Sequence, residues 1–105
     1  MKQYIVEVTN DAAQDMNDIY KYIAFTLLSP IVARKQYDRI ANVILSLDLF
    51  PERNIVIEYK LENNIKLRRV LVDNYSVFYI IKENKVIVTN VLYTSSDIDR
   101  RLLNE

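Results

Sequence analysis

The sequence predicts an α+β domain: an N-terminal strand, a helical hairpin packed on a three- to four-stranded antiparallel sheet, and a short C-terminal helix. Three observations point to it. Between Lys66 and Asp97 lie the apolar runs Leu67 to Val72, Tyr75 to Ile81 and Val86 to Tyr93, parted by Asp73-Asn74 and by Lys82-Glu83-Asn84-Lys85. Runs of this length, rich in Val, Ile and Tyr and divided by short polar turns, read as an antiparallel meander. Upstream, two apolar stripes at helical spacing stand on either side of Ser29-Pro30. Ahead of both, Tyr4, Val6 and Val8 alternate with Gln3, Ile5, Glu7 and Thr9 as one apolar face of a short strand.

Thr9 is the expected N-cap of the first helix, with Asn10 and Asp11 in its first turn, where acceptors and negative charge suit the helix dipole. The stripe Ala12, Met16, Ile19, Ile23, Leu27 carries that helix to about Leu28. Ser29 then offers a capping hydroxyl and Pro30 a first helical residue. The second stripe is Ala33, Tyr37, Ile40, Ile44, Leu47, closed by Phe50-Pro51. Ile55, Val56, Ile57 and Tyr59 suggest an edge strand ahead of the polar turn Glu62-Asn63-Asn64. In the meander, Tyr75, Val77, Tyr79 and Ile81 share one face and Phe78 and Ile80 the other, which marks the middle strand as covered on both sides and central. Tyr20, Tyr22, Tyr37 and Tyr79 are expected at the core or its rim. A capping serine, Ser95 or Ser96, opens the terminal helix from Asp97 to Leu103, with Ile98, Leu102 and Leu103 turned inward.

Composition narrows the chemistry. A chain of 105 residues, half of them hydrophobic, makes one domain over 1–105 with an ordinary core. There is no cysteine, hence no disulfide or thiolate chemistry, which fits a cytoplasmic protein. No apolar run is long enough to span a membrane, and the N-terminus moves directly into a strand. There is no histidine, which excludes Ser-His-Asp hydrolysis and the usual zinc ligand, and no glycine for a phosphate-cradling loop. Fourteen basic residues against fourteen acidic ones leave a net charge of zero, whereas chains that grip nucleic acid through its phosphates usually carry a basic excess. The balance favours a protein partner, with no direct DNA binding by the chain alone.

In order and spacing, certain pieces resemble the RelE/ParE superfamily of toxin–antitoxin toxins. They are the arginine of Lys66-Leu67-Arg68-Arg69, the tyrosine seven residues past Arg68 that opens Tyr75-Ser76-Val77-Phe78-Tyr79, and Val91-Leu92-Tyr93 leading to Asp97-Ile98. The Ser29-Pro30 junction between long helices, the arginine-to-tyrosine spacing and the Leu-Tyr segment resemble the ParE branch most. That resemblance implies a first strand lying beside the last, a cognate antitoxin laid over the toxin as an extended segment or helix, no cofactor or metal, and DNA gyrase as the target. A gyrase poison needs a binding surface. Arg68, Tyr75, Tyr93, Ser95, Ser96, Arg100 and Arg101 are its candidates, together with the outer helix face.

The same resemblance carries an alternative, a ribosome-dependent mRNA endonuclease. RNA cleavage calls for a base, a proton donor and positive charge on the phosphorane-like intermediate. In this chain Arg68 and Arg69 offer the charge, Tyr93 the donor, and Glu58 or Glu62 the base. Against it, the place after the last strand, where family ribonucleases carry basic residues or histidine, reads Thr94-Ser95-Ser96-Asp97. A non-toxic binding module on the same fold is the third reading, because a fold does not fix a function.

Overall fold

The computed structural model describes residues 2–58 and 65–94, with the side chain of Glu58 excepted. Within them run β1 (Ile5–Val8), α1 (Asn10–Lys21), α2 (Pro30–Leu45), β2 (Ile55–Glu58), β3 (Leu67–Val72), β4 (Tyr75–Lys82) and β5 (Lys85–Tyr93). The predicted terminal helix, Ser95, Ser96, Arg100, Arg101, Tyr59 and Glu62 lie outside the described residues. The sheet has five strands in the order β1-β5-β4-β3-β2, one more than predicted, because β1 joins it parallel to β5. As expected, β4 is central and β2 is an edge.

Both helices cover one face of the sheet. Ala12, Met16, Ile40, Ile44 and Leu47 meet Val72, Val77, Tyr79, Val86, Val88 and Val91 in the main core cluster. The predicted stripes therefore fix which side of each helix is buried, and the driving force is the removal of this apolar surface from water. Thr9 ties the first helix to the sheet. Its hydroxyl accepts from the Ala12 N–H at 3.1 Å and donates to the Thr89 carbonyl at 3.1 Å, so one side chain serves as both cap and strand anchor.

Four departures from the sequence reading have physical causes. After Lys21 the first helix widens into a π turn over Tyr22–Thr26, where the Leu27 N–H reaches back five residues to the Tyr22 carbonyl at 3.0 Å. The extra residue in that turn rotates the later positions away from the core. Leu27, expected in the stripe, is exposed as a result. Tyr22, expected at the core or its rim, opens the turn and is exposed too. Ser29 precedes α2, but its hydroxyl makes no capping bond. Its backbone (φ −133°, ψ 76°) is set by the left-handed Leu28 just before it, while Pro30 does take the first turn as predicted. Val8 is exposed because the chain leaves the sheet there to enter α1.

Without glycine, left-handed backbone falls to other residues: Leu28 (φ 55°), Phe50 (φ 50°), Asp73 (φ 55°) and Glu83 (φ 59°). Asp73 opens the β3–β4 turn, and its carboxylate is held by Gln36 at 3.0 Å and by Arg39. Leu28 has no such compensation. Its side chain is 81% exposed in a conformation that costs a side-chain-bearing residue about 1 kcal/mol. Leu28→Gly should therefore stabilise the fold by about 0.5–1 kcal/mol, read as a rise of several degrees in melting temperature.

A bulge at Thr89 shifts the β4–β5 register between Phe78 and Tyr79 and frees the Val91 N–H. Asp15 of α1 accepts it at 2.9 Å. Val91 is buried, so removing this acceptor strands a donor away from water. Asp15→Ala should cost about 2 kcal/mol in chemical denaturation, whereas Asp15→Asn, which keeps an acceptor oxygen, should cost distinctly less.

Candidate functional site

Arg68 and Arg69 take opposite faces of the sheet, as strand alternation requires. Arg68 pairs across the strands with Tyr79 and Arg69 with Phe78. Arg68 borders an open cleft of about 420 Å³ with Glu52, Ile65, Lys66, Ile81, Lys82 and Glu83. Its guanidinium serves the fold: one terminal nitrogen donates to the carbonyls of Glu52 at 2.9 Å and Asn54 at 2.8 Å. The same short segment is clamped from two further sides. Tyr79 donates to the Pro51 carbonyl at 2.6 Å and accepts from the Asn54 amide at 3.0 Å, while Tyr4 donates to the Glu52 carboxylate at 2.9 Å.

The electrostatics follow from these contacts. Glu52's own backbone N–H, then the Tyr4 hydroxyl, hold its carboxyl below the usual carboxylate range, with Arg68 and Lys2 adding to the effect. Burial pushes the Tyr79 phenol up, partly offset by the Asn54 bond and by Arg68. The cleft mixes Lys66, Arg68 and Lys82 with Glu52 and Glu83, so its positive charge is largely answered locally. Among the described residues no group of carboxylates could hold a metal ion.

Tyr75 and Tyr93 sit together elsewhere, ring edge to ring face with centroids 5.8 Å apart. Burial, then the neighbouring hydroxyls of Tyr93 and Tyr22, keep the Tyr75 phenol above its ordinary value and so protonated at neutral pH. Tyr75 stands four residues along β4 from Tyr79, the partner of Arg68, which is about 13 Å of strand. Arg68, Arg69 and Tyr93 are thus spread over two faces and two ends of the sheet. The geometry gathers Tyr75 with Tyr93 and leaves the arginines apart.

A different surface stands out at the bend of the helical hairpin. Tyr22, Phe25, Leu27, Leu28, Ile31 and Val32 are all exposed, Phe25 at 70% and Ile31 at 73%. Six large apolar side chains within eleven residues of one bend are more than the scattered exposure normal for a folded surface. The helical stripes gave no sign of it, since Leu27 belongs to the buried pattern in the sequence and only the π turn brings it out. Alternation and spacing also miss Glu52, Asn54 and Asp15, which act on partners 14 to 76 positions away. Among the described residues no helix is long and apolar enough to cross a membrane.

A helical hairpin on one face of a sheet whose first strand lies parallel to its last is an architecture shared with solved toxin–antitoxin assemblies. The chromosomal ParDE system from P. aeruginosa matches with a TM-score of 0.73 at 16% identity, over 89% of this chain and 98% of that one. The archaeal RelE–RelB complex from Pyrococcus horikoshii OT3 matches at 0.61 and 15% identity, over 90% and 98%. The toxin–antitoxin complex RelBE2 from Mycobacterium tuberculosis matches at 0.61 and 16%, over 90% and 94%. At such identities the likeness is one of fold. A search of curated proteins gave no match. The family model of the ParE toxins of type II toxin–antitoxin systems, parDE, matches residues 6–98. The chain belongs to that family: it is a ParE-type toxin.

Proposed function

We propose that this toxin acts by binding DNA gyrase and that a cognate antitoxin neutralises it. The observation that carries the reading is the apolar bend of the hairpin, Tyr22 to Val32, a surface suited to protein contact and of no use to the fold that bears it. The ParE family match supports it. The commitment of Arg68 to backbone carbonyls, far from Tyr93, weighs against the mRNA endonuclease. An antitoxin strand has a natural seat on β2, the edge strand of the sheet among the described residues, where Ile55 and the nearby Phe50 are exposed and an edge of this kind suits augmentation. The solved ParDE and RelBE assemblies support a partner of this kind.

Arg100 and Arg101 complete the proposed contact surface. Arg100→Ala with Arg101→Ala leaves Ile98, Leu102 and Leu103 in place, so it removes charge without removing apolar anchors. The pair should weaken inhibition of gyrase supercoiling several-fold, with the circular dichroism spectrum unchanged. Undiminished inhibition by the folded double variant would remove these arginines from the surface.

A further inference from the structure

At the bend of the helical hairpin the small side chains are inside and the large ones outside. Ile23, Ala24 and Ala33 hold the inner positions and form a small cluster with Ile19 and Tyr20, to which no described residue of the sheet contributes. Tyr22, Phe25, Leu27, Leu28, Ile31 and Val32, from the same stretch, stand in water. With two alanines at its centre the bend buries little apolar area of its own, so most of the free energy open to it lies in covering the outer side chains.

Area and charge indicate the cover. The exposed parts of these six side chains come to roughly 800 Å², more than the largest apolar patch usual on a monomer and equal to one partner's share of a standard interface. From Tyr22 to Ala33 the chain carries no charged residue. Such a patch is its own complement. Two copies meeting about a two-fold axis present the same residues to each other, and here no like charges are forced together, which is the penalty that otherwise keeps identical surfaces apart. The first charges on either side, Lys21 and Arg34, fall at the rim, and Arg34 is already answered by Asp38 at 3.2 Å.

We infer that, without antitoxin or target, the toxin forms a symmetric homodimer through the hairpin bend, with Phe25, Leu28 and Ile31 of the two copies packed against one another. The inference does not depend on gyrase being the target. The same side chains cannot serve a second copy and a target at once, so a target that takes the bend competes with the dimer.

Interfaces of this size hold with dissociation constants of about 1 μM or tighter. Sedimentation equilibrium of the full chain at tens of micromolar should therefore give twice the 12.4 kDa chain mass. Phe25→Asp with Ile31→Asp should return the mass to that of one chain with circular dichroism unchanged. Leu45→Lys, which alters a similarly exposed apolar residue at the far end of α2, should leave the dimer whole. The chain has no cysteine, so single nitroxides can be placed at will. Labels on Thr26→Cys should lie closer together across the dimer than the 21 Å thickness of one chain, and labels on Lys82→Cys, at the opposite end of β4 from Tyr75, farther apart than that. A monomer at these concentrations, a dimer that survives Phe25→Asp/Ile31→Asp or dissociates with Leu45→Lys, or Thr26 labels farther apart than Lys82 labels overturns the inference. Gyrase inhibition by a toxin found to be monomeric would overturn the dimer and leave the proposed target standing.

Discussion

Phe25→Asp combined with Ile31→Asp is expected to abolish growth inhibition and leave the fold intact. Both side chains are mostly in water already, so little buried area is lost, and an acid at the start of α2 suits the helix dipole. Binding responds differently. Anchors at the centre of an interface typically lose about 2 kcal/mol or more on truncation, and a buried unpaired carboxylate adds to that loss. Two such changes together should weaken target binding by more than about a hundredfold. The check is a growth curve after induction, set beside thermal melting of the purified variant. Full toxicity from a folded double variant would take the hairpin bend out of the account.

Leu28 gives the same surface an independent signature. Its left-handed backbone costs stability, and its side chain touches little in the folded chain, so Leu28→Gly raises the melting temperature. If the bend is a contact surface, the same change lowers toxicity. Stabilisation accompanied by lost activity marks a residue kept for a partner rather than for the fold.

Arg68→Ala carries the second large effect, and its form separates the two mechanisms. The substitution removes a charged donor from the carbonyls of Glu52 and Asn54, which should destabilise the chain by about 2 kcal/mol, or roughly 10 °C in melting temperature. In a gyrase poison the folded variant, assayed well below its melting temperature, keeps its inhibitory potency within a few-fold. In a ribonuclease that used Arg68 on the scissile phosphate, turnover would drop on the order of a hundredfold or more at full folding.

The meander was legible in the sequence because its turns are local: Asp73-Asn74 and Glu83-Asn84 stand where polar pairs interrupt β-rich runs, and two-residue loops set the register on either side. The parallel seat of β1 was not readable from its own alternation and came only with the family resemblance. The buried sides of the helices followed from their stripes as far as Ile23. Beyond it, the π turn at Tyr22–Thr26 broke the 3.6-residue period, and nothing in Tyr-Ile-Ala-Phe-Thr announces such a turn. Arg68 was visible as a candidate and its role was not, because the carbonyls it holds belong to a segment 14 to 16 residues earlier that only the folded sheet brings near.

Supercoiling and DNA cleavage by purified gyrase, with and without the purified toxin, decide whether gyrase is the target. Supercoiling should be lost at stoichiometric toxin, restored by the cognate antitoxin, and retained with Phe25→Asp/Ile31→Asp. Gyrase untouched by the wild-type toxin, together with transcripts cut in cells after induction and spared by Arg68→Ala, would contradict it and assign the toxicity to RNA cleavage.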